Sequence, residues 1–160
     1  MIVVADSGPL HYLILLEQTE LLHRFYGDVL IPDAVAGELR AARSPLPVRD
    51  WMSRAPSWLQ SITVTAEEIA SVADGLDLGE RAAIALAERI QADFVLIDET
   101  DGRAEAQRRS FRVTGTLGVL RIAAEEELVD VVDVLARLRA TNFYADETLI
   151  KRVFSQWLTE

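Results

Sequence analysis

Ile2-Val3-Val4-Ala5-Asp6-Ser7-Gly8-Pro9-Leu10 is the stretch that decides the fold. Its four leading apolar residues, three of them β-branched, read as a short strand buried on both faces, with a carboxylate where the strand ends. Ser7 is suited to cap a following helix, Pro9 is tolerated in its first turn, and Leu10, Leu13, Ile14 and Leu16 give that helix an apolar face. The same order returns in Phe94-Val95-Leu96-Ile97-Asp98-Glu99-Thr100-Asp101, followed by a helix rich in Arg and Ala to about Ser110. Asp98 repeats the placement of Asp6.

Between these two units the pattern keeps alternating. Residues 19–26 form a second helix closed by Gly27, and Val29-Leu30-Ile31 forms a second strand. Pro32-Asp33 opens a helix with Val35, Leu39 and Ala42 on one stripe and Glu38 on its flank. Ser44-Pro45-Leu46-Pro47 breaks it, a short helix carries Trp51, and residues 59–64 alternate as an edge strand does. Thr65 with Glu68 makes a capping box for a helix ending near Gly75. Residues 76–87 form an alanine-rich helix that must be largely buried, with Glu80 in its first turn. Arg112-Val113-Thr114 is the last strand, Gly115-Thr116-Leu117-Gly118 turns tightly into another helix, and residues 128–140 and 145–158 are amphipathic helices. Strands alternating with helices predict one α/β domain over residues 1–160, with a mainly parallel sheet flanked by helices. Such sheets place ligands beyond the carboxyl ends of their strands, which is where Asp6 and Asp98 stand.

Composition narrows the chemistry. The 160 residues contain no cysteine, which excludes disulfides, thiolate metal sites and cysteine nucleophiles. The two histidines, His11 and His23, sit among leucines and are expected at a surface or core edge rather than as ligands. The opening apolar run has no basic leader and is interrupted by Asp6, Gly8 and Pro9, and no run approaches the ~20 residues of a membrane span. A cytoplasmic protein without membrane contact is expected. Net charge is -10, and discounting Asp6, Glu38, Glu80 and Asp98 still leaves -6. Phosphate binding would therefore depend on divalent ions and a local arginine patch. Fifteen arginines face a single lysine, Lys151, and the densest basic run is Arg103, Arg108, Arg109 and Arg112. Trp51, Trp58 and Trp157 are expected to fill gaps beneath loops.

Carboxylates gathered without a counter-charge repel one another, so bringing Asp6, Glu38, Glu80 and Asp98 together calls for protonation or bound cations. Oxygen-only ligands suit hard ions such as Mg²⁺ or Mn²⁺, which points to metal-assisted phosphodiester chemistry. Each acid also has a plainer reading. Asp6 can bond the following turn, Asp98 can cap the next helix, and Glu38 can pair with a neighbouring arginine on an exposed face. Asp77 with Glu80 three residues on is a capping-box pattern. Ser7, Thr114 and Thr116, at strand-to-helix turns on the same edge, and Arg103 are candidate substrate contacts; capping explains the hydroxyls equally well.

Taken in order, Val3-Val4-Ala5-Asp6-Ser7-Gly8-Pro9-Leu10, Ile31-Pro32-Asp33-Ala34-Val35-Ala36-Gly37-Glu38-Leu39, residues 76–87, Val95-Leu96-Ile97-Asp98-Glu99 and Val113-Thr114-Gly115-Thr116-Leu117-Gly118 resemble a PIN domain, the ribonuclease fold of VapC-like toxins. They resemble more closely a compact prokaryotic PIN-like family of formerly uncharacterised proteins. The resemblance implies a three-layer domain with strand order 3-2-1-4-5 and an acid quartet of Asp6, Glu38, Glu80 and Asp98 that holds Mg²⁺ or Mn²⁺. Glu80 departs from the aspartate usual at the third position. The resemblance further implies RNA cleavage, a small antitoxin partner and a homodimer. Two other readings remain: a catalytically silent PIN-like module that binds a basic protein partner, and a receiver-like phospho-acceptor domain. The second needs a lysine at the end of a late strand, and Lys151 lies in the terminal helix.

Overall fold

The computed structural model describes residues 1–158. Five strands, β1 (Val3–Ala5), β2 (Val29–Pro32), β3 (Leu59–Ile62), β4 (Phe94–Leu96) and β5 (Arg112–Thr114), form one sheet of order β3-β2-β1-β4-β5. Every neighbouring pair is parallel. The α-helices are α1 (Ser7–Leu15), α2 (Glu20–Tyr26), α3 (Asp33–Arg40), α4 (Leu46–Ser53), α5 (Ala66–Ala70), α6 (Leu78–Ile90), α7 (Thr100–Arg108), α8 (Thr116–Glu125), α9 (Val131–Arg139) and α10 (Glu147–Val153).

The period-2 alternation of strand side chains splits the core into two layers. Val3 and Ala5 of β1 pack into a cluster with Leu10, Leu13, Val35 and Leu120, whereas Val4 faces a second cluster with Ile84, Leu86, Val95 and Ile97. Both faces of β1 are thus covered, as its unbroken apolar run required. The sheet is wholly parallel with helices on both sides, a three-layer α/β fold.

Several element ends differ from the sequence reading, each for a local reason. Ala41 turns extended after α3, which leaves Ala42 exposed outside the helix. The helix opened by the Thr65–Glu68 capping box stops at Ala70 rather than near Gly75. Glu127 has a positive φ of 56°, and the Asp130 carboxylate accepts from the Asp133 N–H, so α9 begins at Val131 instead of residue 128. Asp146 caps α10 in the same way through Thr148. Ser7 is not a cap: Asp6 occupies that position without a side-chain capping bond.

Register brings the two strand-end acids together. Ala5 pairs with Leu96, and the Asp6 N–H donates to the Leu96 carbonyl at 2.9 Å. Asp98 follows two residues past Leu96, the paired end of β4. With α3 and α6 both packed against β2, Glu38 and the start of α6 reach the same sheet edge.

Candidate functional site

A cavity of about 250 Å³ opens over that edge, lined among others by Asp6, Glu38, Asp77, Asp98, Ser7 and His11. Asp6 is its most confined acid, 5% exposed, and its Oδ1 has no hydrogen-bond partner. Burial pushes the Asp6 carboxyl well above the ordinary carboxylate range; the neighbouring Ser7 N–H opposes that, and the charges of Asp77, Glu80 and Glu38 add to it. A buried acceptor without a donor normally destabilises a fold, so it marks a place where something else supplies positive charge or a proton.

Glu38 is half-buried and oriented by Ser7, whose Oγ donates to Oε2 at 2.6 Å. It is not paired with an arginine of its own helix. Gly79, in the first turn of α6, lets the acids approach: a Cβ there would stand 2.9 Å from Glu38 Oε1, 3.1 Å from Asp6 Oδ1 and 3.6 Å from Asp77 Oδ1.

Asp98 is gripped from α8 rather than capping α7. The Thr116 N–H and hydroxyl donate to its two oxygens, both at 2.7 Å. Burial raises the Asp98 carboxyl; both Thr116 bonds and the Arg103 guanidinium pull it back down. Arg103 donates to the Ile97 carbonyl at 3.0 Å. A Cβ on Gly115 would fall against Asp98 Oδ1, so only glycine leaves room for this carboxylate.

Glu80 behaves as the capping-box reading expected. Its Oε1 accepts from the Asp77 N–H at 3.1 Å, and its own N–H donates to Asp77 Oδ1 at 2.8 Å. It is 4% exposed, Oε2 has no partner, and burial pushes its carboxyl up to about 7. That second oxygen lies 3.1 Å from where a Cβ on Gly102 of α7 would stand.

The sequence-predicted residues therefore converge unequally. Asp6, Glu38 and Asp98 line one cavity, with Ser7 and Thr116 holding two of them, while Glu80 backs it from α6. Thr114 and Arg103 border an adjoining groove of about 470 Å³ beyond Asp98, together with Arg121, Phe143 and Tyr144. The rest of the basic run is engaged elsewhere: Arg108 and Arg109 pair with Glu105, Arg109 also with Glu88, and Arg112 lies over the Phe94 ring at 4.4 Å. Trp51 and Trp58 pack together, His23 stacks on Trp58, and Trp157 lies beside Phe154.

Sequence reading missed His11, Tyr12, Asn142 and Asp77 as cavity residues. A signal existed for two: His11 and Tyr12 lie four residues after Ser7 and Gly8, on the same helical face. Asn142 had none, because it arrives from a distant loop and accepts from the Tyr12 hydroxyl at 2.9 Å. Burial lowers the affinity of His11 for a proton, and the charge of Glu38 partly restores it. Among the described residues no group of three or more acidic or histidine side chains is already arranged to hold a metal ion. The cavity brings the carboxylates to one place without closing them on a common centre.

An all-parallel β3-β2-β1-β4-β5 sheet with carboxylates beyond the ends of its central strands is an α/β fold with its candidate site at the carboxyl edge. A family model described as a PIN domain matches residues 2–158, and the chain belongs to that family. No curated protein compared with the chain matches it. None of the described helices is long and apolar enough to cross a membrane.

Proposed function

We propose that this protein is a Mg²⁺- or Mn²⁺-dependent ribonuclease and the toxin of a toxin–antitoxin pair, working in the cytoplasm as a single-domain protein. The observation that carries the reading is the buried Asp6, whose unpartnered Oδ1 faces Glu38 across the Gly79 opening. The donor set fits a hard divalent ion, being oxygen only, with orphaned buried oxygens on Asp6 and Glu80. Asp6, Glu38, Glu80 and Asp98 would hold the ion. When bound, it supplies Lewis acidity toward a phosphate oxygen and lowers the pKa of a water.

The chain's own residues do the rest. Ser7 and Thr116 fix the rotamers of Glu38 and Asp98, so less order has to be imposed on binding. The low exposure of Asp6 keeps bulk water from screening its charge. Beyond Asp98, Arg103 and Arg121 offer charge to a backbone phosphate, and Tyr144, 92% exposed, offers a ring to an unpaired base. A single-stranded substrate suits that groove. Within this proposal the antitoxin occludes the acidic cavity and the toxin is a homodimer.

The test is cleavage of a mixed set of RNAs with Mg²⁺ or Mn²⁺ by wild type and Asp6→Asn. Divalent-dependent cleavage that Asp6→Asn abolishes supports the reading. Equal activity in both, or none in the wild type, rejects it.

A further inference from the structure

We propose that the cavity between α2 and α8 is a distal base-binding subsite, reached by a single-stranded RNA that runs from the acidic cavity along α8. The inference rests on the ribonuclease reading above and concerns how much of the strand the protein holds.

The path is continuous. Asp98 belongs to the walls of both the acidic cavity and the groove beyond it. Thr114, at the end of the edge strand β5, belongs to the walls of both that groove and a third cavity of about 760 Å³. Gly118, Ile122 and Glu126 follow one another at four-residue spacing, which sets them in one row along α8 and its C-cap. Gly118 lines the groove, and Ile122 and Glu126 line the third cavity, so a single helix row borders the whole passage. From Gly118 to Glu126 that row is about 12 Å long, the length of about three to four stacked nucleotides at about 3.4 Å each.

The third cavity has the chemistry of a base pocket. Phe25, Tyr26 and Phe94 give it aromatic walls, with the Tyr26 and Phe94 rings 5.9 Å apart. Tyr26 is 7% exposed, and its hydroxyl is buried with no hydrogen-bond partner among the described residues. An orphaned polar atom in a cavity wall marks a place where a ligand or a water completes the bonding. Burial raises the Tyr26 pKa, which keeps the group a phenol able to donate to a base nitrogen or carbonyl. At the mouth, Arg24 meets Glu126 only at 3.9 Å with both side chains exposed, so its guanidinium gives up little in turning to a phosphate. Arg112, seated over the Phe94 ring at 4.4 Å, adds positive charge beside the same wall.

Two end-labelled oligouridylates, a tetramer and a decamer, test the path. Their binding to the full chain is followed by fluorescence anisotropy, with Ca²⁺ in place of Mg²⁺ and the RNA checked intact on a gel. The wild type is expected to hold the decamer at least about tenfold more tightly. Tyr26→Phe is expected to weaken the decamer about three- to tenfold more than the tetramer, with a urea midpoint no lower than wild type because the hydroxyl has no bond to lose. Ile122→Trp, which fills the cavity, is expected to cancel the length advantage. Arg24→Ala, a change on an exposed side chain, is expected to lessen the salt dependence of decamer binding more than that of the tetramer. Equal wild-type affinity for the two lengths, or variants that weaken both alike or neither, overturns the subsite and leaves the ribonuclease reading intact. A change of oligomeric state in Arg24→Ala or Ile122→Trp without a change in RNA affinity overturns it too, by assigning the cavity to a contact between copies of the chain. A wild type that binds neither RNA overturns the subsite, and one that also cleaves no RNA with Mg²⁺ or Mn²⁺ overturns both readings.

Discussion

Gly79→Ala should separate metal binding from stability, because the methyl group would occupy the space in which the acids meet. Its Cβ would lie 2.9 Å from Glu38 Oε1 and 3.1 Å from Asp6 Oδ1, against ordinary contact at 3.4 Å or more. Glu38 must therefore withdraw by about half an ångström and Asp6 by somewhat less, whereas a bound Mg²⁺ would tolerate little departure from oxygen distances of about 2.0–2.1 Å. Glu38 sits at the end of a flexible side chain and yields easily, while Asp6, on a strand end, does not. Alanine also favours the helix over glycine by up to about 1 kcal/mol. Folding stability in EDTA should consequently stay within about 1 kcal/mol of wild type, while Mn²⁺ affinity falls at least about tenfold. The assays are a urea titration followed by circular dichroism and a Mn²⁺ titration on the same preparation. Unchanged Mn²⁺ affinity would refute the reasoning, since it would mean that the ion sits away from the Asp6–Glu38 opening.

Thr116→Val keeps the shape of a fully buried side chain but removes one of the two donors to Asp98, and should lower stability by about 1–3 kcal/mol in urea unfolding. In EDTA, the Glu80 carboxyl should make stability fall with rising pH. Its folded-state value of about 7 lies above the ordinary 4.5, so the native chain keeps a proton that the unfolded chain has lost. The contribution is full below pH 4.5, disappears as pH rises through 7, and amounts to at most about 3 kcal/mol. Glu80→Gln should flatten the pH dependence of the urea midpoint between those values, and parallel curves would contradict the assignment. Tyr144→Ala should weaken binding of a short single-stranded RNA by about 1–3 kcal/mol in fluorescence anisotropy with the unfolding midpoint unchanged.

The architecture was legible because it rests on features that sequence records directly. Fully apolar runs at residues 2–5 and 94–97, each ending in aspartate, specify central parallel strands, and the order of the sheet followed from the family resemblance. Asp6, Glu38 and Asp98 were legible for the same reason: strand ends and a helix flank fix where a carboxylate must stand. The arrangement of the two acids at the start of α6 was not. Asp77 and Glu80 form a capping box in sequence whichever of them faces the cavity, and only the path of α6 past Gly79 and Gly102 decides it. Ser7 and Thr116 were legible as hydroxyls at turns, but their partners lie 31 and 18 residues away, beyond the reach of a local capping argument. The arginines after Asp98 misled, because a basic run gives no sign that Glu105 and Glu88 will claim two of its members.

The Asp6 N–H that bonds the Leu96 carbonyl is the last rung joining β1 to β4. The most confined acid of the cavity is thereby welded to the seam between the central strand β1 and its neighbour β4, and its backbone cannot wander unless that seam unzips. Were the proposed ion to bind, accommodation of its radius would fall to Glu38, carried on the flank of α3 at the end of a longer side chain, while the strand-borne anchor stays put. The pocket is built as a fixed jaw and a movable one.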